Sequence, residues 1–252
     1  MTILRIVDAA RRRNLRAFVY IKSLFTSTDL DGVPIVQCTT PYGGKVALRP
    51  HTTDADVYFD TFVKQYHLPP ADIGDIRSIL DLGSNIGLTI FHYARLYPKA
   101  QIVGIEMDDG NATVCKLNIC MDAHRCSIIK GAIWKENGEI AYCGQQEWGF
   151  RISTSGTQFT KAYSMESLLD QLGYPIVDFV KMDIEGAEKE VLAGATAWSA
   201  RVRCMKVEVH KPYTMTQCAA DLMAAGFECE YDTLHGSSII ARNQHTSSGI
   251  VC

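Results

Sequence analysis

The chain has 252 residues, of which 47% are hydrophobic and 21% are charged, a composition typical of a globular protein that can bury a sizeable core. The net charge is −3 and contains no acidic or basic block, which argues against nucleic acid as the main partner. No apolar run has membrane-spanning length, and the N-terminus lacks the layout of a signal peptide, so we expect no transmembrane segment.

Nine cysteines are scattered along the chain, and none of them forms a C-x-x-C pair. Three of them, Cys115, Cys204 and Cys218, lie in segments predicted to be helices or strands. This pattern predicts reduced thiols in a cytoplasmic protein, and it does not favour a zinc site.

Residues 1–25 are predicted to form an amphipathic helix. Its apolar residues fall roughly on one face, and they are Ile3, Val7, Ala10, Phe18, Ile21 and Phe25. Its arginines lie on the other side, and they are Arg5, Arg12, Arg13 and Arg16. The simplest interpretation is a helix that packs on the domain through its apolar face and leaves its basic face in solvent. Contact with an acidic partner, a substrate or a membrane surface is the alternative.

Two short strands, residues 33–38 and 45–48, are predicted next, joined by a Pro-Tyr-Gly-Gly turn. The polar residues 49–56 then lead into an aromatic stretch. They are rich in groups that hold ligands, but they are also consistent with a capped loop before a helix, with Thr53 or Asp54 as N-cap. We therefore predict an N-terminal extension over residues 1–70 and a main domain over residues 71–252.

The main domain is predicted to begin with a strand–turn–helix–strand unit over residues 78–106. The apolar strand 79–82 is followed by a turn that contains Gly83 and Gly87, then by a helix that Pro98 closes, then by the strand 102–105. Glycines let the backbone approach a ligand closely, and the start of a helix presents free N–H groups to a carboxylate or phosphate. Glu106, ~20 residues past the turn, is placed to accept hydrogen bonds from a ribose diol.

Strands and helices continue to alternate after Glu106. The predicted elements are a helix 111–121, a strand 127–132, a hairpin region 137–163, a helix 165–172, a strand 177–182, a helix through 192, a strand 204–209, a helix from Thr214 to Gly226 with a capping box at Gln217, and strands 227–231 and 238–241. The pattern predicts an α/β fold with a doubly wound, mainly parallel, seven-stranded sheet and helices on both faces. A short loop joins the last two strands, so one of them should be antiparallel.

Three ionisable residues, Asp183, Glu208 and His210, lie at the carboxyl ends of predicted core strands. Ligands bind at this edge of doubly wound sheets, and burial of an unpaired charge is unfavourable. These residues therefore indicate a functional cleft at this edge of the sheet. The alternative is a satisfied structural network in which Lys181 or Lys206 pairs with the acids.

Three stretches of the sequence together resemble the FkbM family of methyltransferases. They are the turn Asp81-Leu-Gly-Ser-Asn-Ile-Gly87 with Glu106, the run Val177-Asp-Phe-Val-Lys-Met-Asp-Ile-Glu-Gly-Ala-Glu188, and the strand end Glu208-Val-His210. The resemblance covers roughly residues 45–240. It implies a Rossmann-like methyltransferase fold, S-adenosylmethionine as cofactor and O-methylation of a hydroxyl on a small molecule or glycan. It does not fix the acceptor.

The resemblance and the physical pattern together give a set of expected site residues. The expected cofactor-binding residues are Asp81, Gly83, Ser84, Asn85, Gly87, Glu106, Met107, Ala132, Trp134 and Asp183. Met107 and Trp134 are placed to sandwich the adenine, although core packing explains either of them equally well. His210 is the expected general base, since an unperturbed histidine accepts protons near neutral pH, with Asp183 and Glu208 beside it.

Two rival functions fit parts of the pattern. A cofactor-binding module without catalysis is disfavoured by the intact Asp183 and His210, and an NAD-dependent oxidoreductase is disfavoured by the missing third glycine of its motif. Asp183, Glu185, Glu208 and His210 offer ligand atoms for a divalent metal, but we predict that none is required, because Glu185 lies past the strand end, where it can cap the following helix. The sequence leaves the oligomeric state open.

Overall fold

A computed structural model describes residues 3–26, 28–30, 32–144, 151–153 and 156–244. The helices are α1 (Ile3–Thr26), α2 (Asp54–Phe59), α3 (Leu88–Leu96), α4 (Asp109–Ile119), α5 (Met165–Leu172), α6 (Glu188–Leu192) and α7 (Met215–Ala224). The strands are β1 (Thr28–Leu30), β2 (Val33–Thr39), β3 (Lys45–Leu48), β4 (Ser78–Leu82), β5 (Gln101–Glu106), β6 (Cys126–Lys130), β7 (Ala132–Ile133), β8 (Gly138–Cys143), β9 (Arg151–Ile152), β10 (Gln158–Tyr163), β11 (Val177–Met182), β12 (Val202–Glu208), β13 (Phe227–Tyr231) and β14 (Ser238–Asn243).

The main sheet has seven strands in the order β13-β14-β12-β11-β4-β5-β6. The five strands β12, β11, β4, β5 and β6 are parallel to one another, and β14 runs antiparallel to both β12 and β13. This confirms the predicted Rossmann-like fold class and identifies β14 as the expected antiparallel strand.

The central strands are apolar because both of their faces are covered. All five residues of β4 are buried, as are all but one residue of β11. Parallel strands of this kind are recognised as near-continuous hydrophobic runs, which is why the sequence located them. Cys115, Cys204 and Cys218 are buried, as expected for thiols inside these elements.

The predicted hairpin region is a second, smaller sheet with the order β7-β10-β8-β9. Residues 145–150 and 154–155 of that region, including Gly149, lie outside the described residues. The predicted strand 127–132 is two separate strands, since β6 ends at Lys130 and the backbone turns at Gly131 before β7.

The segment after β3 begins with a buried ion pair. Arg49 binds Asp54 with Nη2–Oδ1 at 2.7 Å, and the same nitrogen donates to Asn111 Oδ1 at 2.8 Å. Thr53 is the residue before α2, but its side chain makes no capping hydrogen bond. A π-helical turn, Asp60–Lys64, continues α2.

Helix α1 forms as predicted, but it packs through the opposite face. Phe18 and Ile21 of the predicted packing face are 52% and 55% exposed, whereas Val19 is buried. Arg12 and Arg16 point towards the domain and pair with Asp60 and Asp56. The helix turns its basic side inward because acids of α2 and the π-helical turn lie beneath it.

The N-terminal elements share one apolar cluster with the main domain. Leu48 and Phe62 pack in that cluster with Ile86, Phe91 and Val114 of the α3–α4 side. The division of the chain near residue 70 stays a prediction. Among the described residues, no helix has the length and apolar character needed to cross a membrane.

Candidate active site

One cavity of about 590 Å³ opens at the carboxyl ends of the parallel strands. Strands β12, β11, β4 and β5 lie side by side there, so residues from four distant parts of the chain meet at one edge. Gly83, Glu106, Asp183, Glu208 and His210 all line this cavity. The site therefore occupies the edge at which doubly wound sheets bind their ligands.

The turn after β4 is held tightly against its two neighbouring strands. The N–H groups of Gly83 and Ser84 both donate to the carbonyl of Ile105, at 3.1 and 3.0 Å. Gly83 has φ +81°, and a Cβ built there would lie 1.9 Å from the carbonyl oxygen of Asp183. Glycine is required at this position because the turn crosses close to the end of β11.

Glu106 lines the cavity at the end of β5 and is almost fully buried. Its two carboxylate oxygens accept the N–H groups of Asn85 and Asp108, at 2.8 and 2.9 Å. Burial outweighs these hydrogen bonds and raises the pKa of Glu106 to about 7. The Asn111 side chain also hydrogen-bonds to this carboxylate. Since a carboxylate has about four lone-pair sites, acceptor capacity remains for a hydroxyl donor.

The structure separates the predicted cofactor residues into two groups. Those that line the cavity are Gly83, Ser84, Asn85, Glu106, Met107, Ala132 and Asp183. The other three are not among the described residues that line the cavity, and they are Asp81, Gly87 and Trp134. Gly87 instead packs on Cys115, whose Sγ lies 2.5 Å from where a Cβ would be. Trp134 packs against the main core, as the alternative interpretation anticipated.

Lys181 connects the buried Asp81 to the cavity. Its Nζ lies 3.3 Å from Asp81 Oδ1 and 3.4 Å from Asp183 Oδ2, and Thr89 donates to Asp81 from the other side. Burial lowers the pKa of Lys181, but the neighbouring carboxylates outweigh this and raise it. The sequence analysis gave a structural network in which Lys181 pairs with the acids as an alternative, and this pairing is present. Lys181 also lines the cavity.

His210 is held by Glu188, a residue of the Asp-Ile-Glu-Gly-Ala-Glu run to which the sequence analysis assigned no role. His210 Nδ1 lies 2.9 Å from Glu188 Oε1, and Glu188 is fully buried. The other ring nitrogen, Nε2, lies 3.8 Å from Asp183 Oδ1 and 3.6 Å from Glu185 Oε2. Burial lowers the pKa of His210, but the hydrogen bond to Glu188 and the nearby carboxylates together raise it to about 9.

Several acids crowd around this histidine. Burial and the charge of Asp183 raise the pKa of Glu208 to about 8. Ligand atoms of Asp183, Glu185 and His210 all lie within 4.8 Å of one another, so this group offers ligands for a metal ion. Two of the three already have cationic neighbours, because Lys181 pairs with Asp183 and Arg151 Nη2 lies 3.3 Å from Glu185 Oε2.

The far side of the cavity is built by residues outside the expected set of site residues. They come from α1, α2, the π-helical turn, the segment after that turn and the β13–β14 loop: Arg12, Arg16, Asp56, Asp60, Tyr66, Leu234 and His235. The rings of Tyr66 and His235 stack with centroids 4.5 Å apart. No local pattern identifies such residues, because only the tertiary packing returns these segments to the sheet edge.

The strand order, the glycine turn after β4 and the acid at the end of β5 define a Rossmann-like methyltransferase fold. The sequence profile described as the methyltransferase FkbM domain matches residues 81–232, and the chain belongs to the FkbM family of methyltransferases. The family that the sequence motifs resembled is thereby confirmed.

One similar protein is the 2-O-methyltransferase NoeI of Sinorhizobium fredii, which is 24% identical over 151 residues. The match spans 52% of this chain and 62% of that protein. Similar solved structures include precorrin-6y C5,15-methyltransferase from Geobacter metallireducens GS-15, at 13% identity and a TM-score of 0.44, covering 72% of this chain and 85% of that one. An O-methyltransferase family protein from Burkholderia thailandensis has 10% identity and a TM-score of 0.48, covering 76% and 58% respectively.

Proposed function

We propose that the protein is an S-adenosylmethionine-dependent O-methyltransferase that acts on a hydroxyl of a small molecule or glycan. The observation that carries the proposal is the meeting of Glu106, Asp183, Glu208 and His210 in one cavity at the ends of four parallel strands. Membership of a methyltransferase family and similarity to a protein named as a 2-O-methyltransferase support it.

The residues of the β4–β5 side fit the proposed cofactor. Glu106 is a buried carboxylate on the cavity wall with acceptor capacity left after its two backbone hydrogen bonds, which suits a ribose diol. Met107, Ala132 and Ile133 supply apolar wall beside it, which suits a base. S-adenosylmethionine would supply a methyl group already activated on a sulfonium.

His210 is the proposed general base. Glu188 Oε1 accepts from the backbone N–H groups of Ile184 and Gly186, at 3.3 and 3.2 Å, and it lies 2.9 Å from His210 Nδ1. A carboxylate can only accept, so the proton of a neutral His210 lies on Nδ1, and Nε2 faces the cavity as an acceptor. Asp183, paired with Lys181, is the proposed residue that orients the acceptor hydroxyl.

The acceptor is proposed to lie between the catalytic residues and α1. Tyr66 and His235 offer stacked rings on which a sugar or other ring can lie, and the carboxyl group of Glu208 offers hydrogen bonds to hydroxyls. Both are common features of a site for a polar, ring-containing molecule.

The reaction is proposed to need no divalent metal. Lys181 and Arg151 already provide positive charge beside Asp183 and Glu185, so the group does not depend on a cation for charge balance. Activity that is lost in EDTA and restored by magnesium or manganese would contradict this.

Calorimetric titration with S-adenosylmethionine, S-adenosylhomocysteine and NAD tests the cofactor. We expect binding of the first two and none of NAD, whereas binding of NAD alone would favour an oxidoreductase. Mass spectrometry across a panel of sugars and natural products, with the cofactor present, then looks for a gain of one methyl group per acceptor. Cofactor binding without any methylated product would favour a non-catalytic module.

A further inference from the structure

Helix α1 exposes its apolar face. Phe18, Ile21 and Leu24 are 52%, 55% and 62% exposed within the described part of the chain, and Ala17 beside them is also exposed. With 3.6 residues per turn, these four residues share one side of the helix, which we call the outer face. Large exposed apolar surfaces on a helix mark sites of interaction.

Polar contacts from residues outside the outer face fix α1 to the domain. Arg12 Nη1 donates to Asp60 Oδ2 at 2.7 Å, Arg16 Nε donates to Asp56 Oδ2 at 2.9 Å, and Lys22 Nζ donates to the carbonyl of Gln37 at 2.6 Å. These bonds set the rotation of the helix about its axis. The outer face therefore points away from the domain because of defined contacts.

Charge indicates what covers the outer face. Helix α1 carries six arginines and lysines and one aspartate, in a chain whose net charge is −3. Asp60 and Asp56 of the domain pair with Arg12 and Arg16, so the positive charge beside the outer face comes from the other basic residues. Arg11 and Arg13 are exposed, and their spacing from Phe18 and Ala17 places them on the two sides of the outer face. A second copy packed on this face would bring two such positive helices together, which is unfavourable, whereas a negatively charged surface would be complementary.

We propose that α1 docks on an anionic lipid bilayer surface, with Phe18, Ile21 and Leu24 entering the interface and Arg11 and Arg13 contacting the lipid headgroups. An apolar face flanked by basic residues is the pattern of helices that lie in the plane of a membrane. Juxtamembrane basic residues add attraction to anionic lipid. This docking does not depend on the reaction that the cavity performs.

Sedimentation of the whole 252-residue chain with lipid vesicles tests the proposal. Vesicles of phosphatidylcholine alone are compared with vesicles that also contain phosphatidylserine. We expect binding only to the second kind, weakened by added salt, since the attraction is electrostatic in part. The triple variant Phe18→Ser, Ile21→Ser and Leu24→Ser should bind roughly tenfold or more weakly. The double variant Arg11→Gln and Arg13→Gln should bind about tenfold more weakly to the anionic vesicles.

The matched control is the double variant Met121→Ser and Met223→Ser, which removes exposed apolar side chains that lie outside α1. It should bind vesicles like the wild type, and all variants should keep the wild-type melting temperature. The proposal is overturned if the wild type binds neither kind of vesicle, or binds both equally, or if the triple variant binds like the wild type. A wild type that is dimeric without lipid and becomes monomeric in the triple variant would show that a second copy covers the face. If the triple variant does not fold, the arginine variant and the salt dependence still decide.

Discussion

His210 and Glu188 form the pair of residues on which the proposed chemistry depends. The hydrogen bond between them fixes the ring and directs Nε2 at the cavity, but it also stabilises the protonated histidine. An unperturbed histidine would be ready to accept a proton at neutral pH, as the sequence led us to expect. With its pKa raised to about 9, His210 is mostly protonated at pH 7 and becomes an available base only as the pH rises.

The first prediction concerns the pH dependence of turnover. In the wild type, kcat/KM should fall as the pH drops below about 9, because a protonated His210 accepts no proton. Glu188→Gln should move this limb to lower pH, since it removes a charge that raises the pKa of His210, while cofactor affinity stays unchanged. The measurement is a pH–rate profile, and Glu166→Gln, at an exposed position in the first turn of α5, is the control.

The first prediction extends to substitution of the base itself, which separates the two residues that can accept the proton. His210→Ala should lower the rate on the order of 10²-fold or more without loss of cofactor affinity. If His210→Ala keeps near-normal turnover and Asp183→Asn abolishes it with cofactor still bound, then Asp183 is the base.

The second prediction concerns Glu106. Charge-assisted hydrogen bonds contribute roughly 1.5–3 kcal/mol, so Glu106→Gln should weaken S-adenosylmethionine binding by a factor on the order of ten or more. Wild-type affinity should also rise with pH through about 7, as the carboxyl group ionises, and the variant should lack this rise. Calorimetric titration measures both effects, with the exposed Glu136→Gln as control. Unchanged affinity in a folded variant would remove Glu106 from the cofactor site.

At the scale of the elements, the sequence predicts what its local pattern determines. The strands β4 and β11 are predictable because they are apolar runs of strand length, and the capping box of α7 is present as expected at Thr214 and Gln217. The amphipathic pattern of α1 predicts a helix, but it does not predict which face meets the domain. Asp56 and Asp60 determine which face of α1 meets the domain, and their position beneath the helix depends on the tertiary structure.

The third prediction tests this attachment of α1. Asp60→Asn removes the charge that holds Arg12, so the amides of α1 should exchange with deuterium faster than in the wild type. Both side chains are partly exposed, so the free energy of unfolding should change by less than about 1 kcal/mol. Asp75→Asn is the control, because its pair with Arg77 lies in solvent far from α1. Unchanged exchange in α1 would mean that other contacts hold the helix.

At the scale of the whole molecule, topology explains which parts of the site were predictable. Asp183, Glu208 and His210 meet because parallel strands bring their carboxyl ends to one edge of the sheet. The alternation of strands and helices in the sequence is enough to predict such a sheet, and therefore this meeting. Tyr66 and His235 were not predictable, because they come from connecting segments whose path over that edge depends on the packing of the whole chain.

The ionisable groups also give the whole molecule a pH at which its stability is greatest. Burial lowers the pKa of His67, His92 and His235, so the unfolded chain binds more protons at these residues than the folded one at acidic pH. Their contribution to stability is therefore present above the ordinary histidine pKa of about 6.5 and is lost as the pH falls.

The last prediction follows from three groups that act in the opposite direction. The folded-state pKa values of Glu106, Glu208 and His210 are raised to about 7, 8 and 9, so the folded protein binds more protons there than the unfolded chain. Their contribution is present at low pH and is lost as the pH rises through these values. The ligand-free protein should therefore melt at a lower temperature at pH 9 than at pH 7, as measured by calorimetry. The melting temperature of the double variant Glu208→Gln and His210→Gln should fall less between pH 7 and pH 9, since two of the three groups no longer titrate. A wild-type melting temperature that rises over this range would contradict the assignment.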